Sequence, residues 1–153
     1  MSRYDNAKGT DVDDFFENHL TCYNDDILFI DRIKKIITLN FPQKISEHEI
    51  AGEFKRTPRW LQVKCKKAFN INYIRLVRAL RVYSALKLMT ETNENNVEIA
   101  ERLNYTELSS MNRDFKKELN FYPDIARIKL ITMNVDLLFH TFWHRKSLPL
   151  SNP

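Results

Sequence analysis

Apolar residues recur at helical spacing along most of the chain, and the breaks between periodic stretches fall at Pro, Ser, Thr and Asn positions. Ile30, Ile33 and Ile37 give one face of a helix over roughly Asp26 to Thr38, and Pro42 forces a break after it. Ser46 opens a second helix, with Glu49 three residues later completing a capping box and Ile50-Ala51 on the inner side. Thr57 is a good N-cap and Pro58 occupies the first helical position, where its missing N–H is harmless. That helix runs to about Phe69 and ends at Asn70. Leu76, Leu80 and Leu88 belong to a long helix from about Tyr73 to Thr92. Asn96 is placed to cap a short helix through Leu103, and Asn104-Tyr105 make a tight turn. A helix from about Leu108 to Leu119 follows, closed by Asn120. A last helix is expected from Asp124 to about Leu138, with a tail from Ser147. No stretch alternates like a strand, so the expected fold is all-α with about seven helices.

Within that string of helices one pattern occurs twice. Ile50-Ala51, Leu61, Cys65-Lys66-Lys67 and Asn70 match Ile99-Ala100, Met111, Phe115-Lys116-Lys117 and Asn120. The offset is 49 residues at the first isoleucine and 50 at Cys65 and Phe115. Helix, tight turn, helix is the helix-turn-helix unit. The expected organisation is therefore two such subdomains, about 46–69 and 96–119, joined by a linker helix at about 73–92. Together they form a domain over 26–130. Residues 1–25 are expected to be an acidic, flexible segment with at most a short helix starting near Asp13-Asp14-Phe15-Phe16. Residues 131–153 form a C-terminal extension.

Charge gives the repeat a direction. The net charge is +4, but residues 1–31 carry 8 Asp/Glu against 2 Lys/Arg, while residues 32–130 carry 20 Lys/Arg against 11 Asp/Glu. Between Glu53 and Glu91 there are ten Lys/Arg and no acid. A basic block of that length, coinciding with one repeat copy, is an electrostatic footprint for nucleic-acid phosphates. Apolar residues make up 43%, enough for a packed core. The two glycines argue against a Gly-rich phosphate loop. Cys22 and Cys65 form neither a disulfide framework nor a close metal pair, which suits a cytoplasmic setting. No apolar run is long enough to span a bilayer, and no membrane role is expected.

A helical wheel at about 100° per residue separates two faces on each candidate recognition helix. Pro58, Leu61, Cys65 and Phe69 face the core in the first copy, and Leu108, Met111, Phe115 and Leu119 in the second. The opposite faces carry Arg59, Trp60, Val63, Lys66 and Lys67, and Ser109, Ser110, Arg113, Lys116 and Lys117. Gln62 and Asn112 sit on equivalent flanks. Residues near the start of a recognition helix meet base edges, so Arg59, Gln62, Val63, Ser109, Ser110, Asn112 and Arg113 are the expected base-facing set. Arg113 can pair bidentately with guanine, and Gln62 or Asn112 with adenine. Val63, at the position equivalent to Arg113, can touch a thymine methyl but donates no hydrogen bond. Thr57, Trp60, Lys66, Lys67, Lys116 and Lys117 are expected at phosphates. A linker of about twenty residues spans roughly 30 Å, near the roughly 34 Å between successive major-groove segments on one face of B-DNA.

These residues resemble the AraC/XylS family of bacterial transcription regulators over roughly 32–127. The second half is the more specific: Ile99-Ala100, Asn104-Tyr105, Ser109, Met111, Arg113, Phe115-Lys116-Lys117, Asn120, Pro123 and Arg127. Arg81, Ala85 and Leu88-Met89 fit the linker helix. The resemblance implies a seven-helix domain with two DNA-binding motifs and, for many members, activation through RNA polymerase. It departs from the family at Asn70, Asn104 and Asn120, which replace glycines, and at Lys55 in the first tight turn. Cys65 and Met111 replace core Phe residues, and Ala126 a common Tyr. The short segment before the first helix is similar to the small stand-alone MarA/SoxS group, with no separate ligand-binding domain. The expectation is a cytoplasmic regulator that binds double-stranded DNA as a monomer, is no enzyme and needs no cofactor. The rival readings are a degenerate member acting by protein contact as an antagonist, and a weakly specific architectural binder.

His140 and His144 are four apart, but no carboxylate or Cys joins them at ligand spacing, so no metal is expected. Leu137, Leu138, Phe139, Phe142 and Trp143 are expected to pack on the domain's own core rather than on a partner. The acidic N-terminal segment could instead fold back on the basic face and compete with DNA.

Overall fold

The computed structural model describes residues 3–23 and 26–144, and every regular element among them is helical. In chain order they are α1 (Arg3–Asn18), α2 (Ile27–Asn40), α3 (Glu47–Glu53), α4 (Pro58–Phe69), α5 (Tyr73–Glu91), α6 (Asn96–Arg102), α7 (Leu108–Leu119), α8 (Pro123–Lys129) and α9 (Val135–Phe139). A π-helical turn, His140–His144, continues α9. The chain divides into two compact units, one ending at Leu80 and the other beginning at Arg81, with α5 running through the boundary.

In the first unit the local start signals act as read. Ser46 and Glu49 form the reciprocal capping box of α3, and Thr57 Oγ1 accepts from the Trp60 N–H ahead of Pro58. Asp26 caps α2, accepting from the Phe29 N–H. Phe29, rather than Ile30, joins Ile33 and Ile37 on its buried side. The stretch expected to be a flexible segment is mostly the helix α1. Val12, Phe15, Phe16 and Leu20 are buried, and Phe16 meets Phe69 edge-on at 5.9 Å. Asp13 pairs with Lys34 of α2 at 2.9 Å. The apolar side of this helix thus continues the hydrophobic core, which its acidic composition obscured. It packs on α2, and Phe16 reaches Phe69 at the C-terminal end of α4.

In the second unit, Asn95 rather than Asn96 caps α6, with Glu98 completing the box. Asn96 instead accepts from Arg127 Nε at 2.8 Å and donates to Asp124 at 3.1 Å. Arg127 also donates to the Glu94 carbonyl at 3.0 Å, so α8 is tied to the start of α6. The single last helix expected over 124–138 is two helices. α8 stops at Lys129 and Asn134 caps a new one, its side chain accepting from the Leu137 N–H. Leu138, Phe139 and Trp143 are buried. Phe139 stacks on Trp143 at 5.1 Å and meets Tyr83 of α5 at 5.2 Å. Trp143 Nε1 donates to the buried Glu118 of α7 at 2.9 Å. The extension through 144 is therefore part of this unit's core. The tail from Ser147 and the His144 side chain lie outside the described residues.

Candidate nucleic-acid interface

The two repeat copies build the same joint. After α3, the Arg56 N–H bonds the Ala51 carbonyl at 3.0 Å, and after α6 the Tyr105 N–H bonds the Ala100 carbonyl at 2.9 Å. Both turns need one left-handed residue, Lys55 (φ 55°) in the first and Asn104 (φ 63°) in the second. Both following helices end on a left-handed Asn, Asn70 (φ 60°) and Asn120 (φ 69°). Asn supports that conformation with less strain than a long aliphatic side chain, so Lys55 is the strained member. Leu61, Cys65 and Phe69 are buried on α4, and Met111, Phe115 and Leu119 on α7. Burial pushes the Cys65 thiol up to about 12, with the Glu47 carboxylate adding to it.

The outward faces are less alike. On α4, Arg59, Gln62, Val63, Lys66 and Lys67 are exposed, and all five line a shallow open hollow with Asn72. Gln62 Nε2 donates to Glu47 of α3 at 3.1 Å. Trp60 is not on this face. Its half-buried indole packs on Phe54 at 5.2 Å and Phe29 at 5.8 Å, with Arg56 and Lys64 over it. The wheel put Trp60 outward because the partners that claim it, Phe29 and Phe54, lie on other helices. On α7, Ser109 and Arg113 are exposed while Ser110 and Asn112 are half-buried. Arg113 donates to Ser110 Oγ at 3.2 Å. Thr57 caps α4, whereas Glu107 precedes α7 without a side-chain cap.

The Lys pairs also divide. Lys66 donates to the Asn70 carbonyl at 3.3 Å and Lys116 to the Asn120 carbonyl at 3.4 Å, each reaching the C-terminal end of its own helix. Lys67 and Lys117 stand exposed beside them. Sequence reasoning treated each pair as equivalent, because a carbonyl at i+4 leaves no mark on a helical wheel. It also missed Asn72, which lines the hollow while accepting from the Arg75 N–H at 2.8 Å. An Asn immediately before the first residue of α5 was the available N-cap signal.

Among the described residues no group of three or more His, Cys, Asp or Glu could hold a metal, and no helix is long and apolar enough to cross a membrane. The helix-turn-helix domain family matches residues 50–127, half of the chain. The fold is similar to the C-terminal domain of AraT, a response regulator from Geobacillus stearothermophilus. That likeness has a TM-score of 0.60 and 26% identity over 65% of this chain and 84% of that one. It is also similar to the C-terminal domain of the two-component response regulator yesN from Fusobacterium nucleatum, with a TM-score of 0.61 and 22% identity over 65% and 98%. A protein of unknown function from Listeria innocua has a TM-score of 0.58 and 23% identity over 65% and 95%. No curated protein matches the sequence. The family match covers both repeat copies and the helix between them, and the chain belongs to the AraC-type helix-turn-helix family of DNA-binding transcription regulators.

Proposed function

We propose that the chain is a sequence-specific regulator that inserts α4 and α7 into successive major-groove segments of one duplex. The observation that carries this is the repeated joint: each copy ends in a helix with a buried apolar side and an exposed basic one. The 19-residue length of α5 supports the spacing, since such a helix rises about 28 Å. Arg59, Arg113, Ser109, Ser110 and Asn112 are assigned to base edges, and Lys67, Lys117 and Thr57 to phosphates. It acts in the cytoplasm as a monomer and activates transcription through RNA polymerase, as the family resemblance implies for many members.

Selection of duplexes from a random pool tests the reading. The enriched site should contain two blocks about one helical turn apart. Arg113→Ala should weaken binding by about 1–3 kcal/mol and relax one base position. A pool with no enriched sequence defeats the proposal and leaves architectural binding. No duplex binding even at low salt would favour a protein antagonist.

A further inference from the structure

The basic face of α4 has an apolar centre. Val63 is 38% exposed and stands one helical turn after Arg59 and one turn before Lys67, within the hollow that these residues line. A lone exposed valine is ordinary, but this one sits among cations that draw the phosphates of a duplex towards it. Two of its polar neighbours, Gln62 and Lys66, are engaged with the protein. Gln62 Nε2 is held by Glu47, whereas a bidentate adenine contact needs both the amide nitrogen and oxygen. Lys66 is turned to the Asn70 carbonyl. At the level of Arg59 and Val63, α4 therefore offers one guanidinium and two methyl groups. The major-groove edges of the four bases carry one apolar group, the 5-methyl of thymine.

We infer that Val63 makes α4 a reader of the thymine 5-methyl group, so that the first recognition helix selects by apolar contact at a position where α7 selects through Arg113. The inference rests on the regulator reading above and adds the chemical group that the first helix takes.

The test uses the full chain and a duplex enriched from the random pool. Each thymine is replaced singly by deoxyuridine, which keeps base pairing and removes only the methyl. Wild type should lose about fourfold in affinity at one thymine of one block, roughly the effect of one buried methyl group. Val63→Ala should bind the thymine duplex about as weakly as wild type binds the uracil one, and should be indifferent to the replacement. Val63→Thr, which keeps one methyl, should fall between. Uracil tolerance at every thymine, or equal sensitivity in Val63→Ala, overturns the inference while the enriched site leaves the regulator reading standing. Failure of the pool to enrich any sequence removes both.

Discussion

Tyr105 donates its hydroxyl to Asp114 of α7 at 2.7 Å, and the Arg81 guanidinium of α5 lies 5.2 Å from the centre of the same ring. One side chain thus joins the turn, the helix after it and the long helix beneath. The equivalent positions of the first copy hold Arg56 and Lys64, which cannot bond each other. Both instead lie over the Trp60 ring, at 5.6 and 5.8 Å, and Asp26 pairs with Lys64. The copies fasten the same joint with a hydrogen bond in one case and a cation-flanked indole in the other.

Tyr105→Phe removes that bond and keeps the ring under Arg81. The second unit should lose about 1 kcal/mol of stability, read by chemical denaturation, and α7 should hold its block of the DNA site less tightly. Unchanged unfolding and unchanged affinity would show that the hydroxyl positions nothing.

The two members of each Lys pair should respond differently. Lys67→Ala and Lys117→Ala are expected to weaken binding to all duplexes alike and to reduce the salt slope by about 1 each. Lys66→Ala and Lys116→Ala remove a cation from a helix C-terminus, which contributes about 0.3–1 kcal/mol, and should change the salt slope less. Titrations at several salt concentrations, with thermal unfolding alongside, measure both effects. Equal slopes for all four variants would refute the division.

Lys55 holds a left-handed conformation without the help of a short polar side chain. Lys55→Gly should stabilise the first unit by about 0.5–1 kcal/mol, since strain relief exceeds the entropy that glycine adds to the unfolded chain. Lys55→Ile, with a β-branched side chain, should destabilise it. A destabilised glycine variant would mean that the Lys55 side chain contributes something the turn geometry does not reveal.

Asp26 gives a pH signature. Its hydrogen bond with Lys64, and then that from the Phe29 N–H, hold its carboxyl below the ordinary value of 3.8. A carboxyl depressed by folding contributes stability above its unfolded value, and that contribution is lost as pH falls through the folded one. Asp26→Asn keeps a good N-cap but removes the charge. Its unfolding free energy should therefore fall less than that of wild type as pH is lowered below about 4. Parallel curves would show that the pair with Lys64 adds nothing in solution.

What could be read from the sequence was set by range. Ser46-x-x-Glu49 and Thr57-Pro58 are contained within one turn of helix, so their caps appear where they were expected. The left-handed Asn70, Asn104 and Asn120 stand where the family resemblance places glycines. Asn95 and Asn96 illustrate the limit, because two adjacent Asn residues compete for one cap and Arg127, thirty-one residues away, claims the second. Partners distant in sequence explain the other differences. Phe69 and Lys34 organise α1, and Phe29 and Phe54 draw Trp60 inward. The break before α9 had a local signal in Asn134, masked by the apolar run of Leu130 and Ile131 before it.

The placement of the two tryptophans has an experimental use. Trp60 lies in the first unit, half-exposed and flanked by two cations. Trp143 lies in the second, 2% exposed and hydrogen-bonded to a carboxylate. The protein thus contains one tryptophan per unit, each in a different electrostatic setting. Replacing either indole by phenylalanine leaves an indole signal from one unit alone when excitation is set beyond tyrosine absorption, and comparing the two signals through matched melts distinguishes concerted unfolding from stepwise unfolding without any added label.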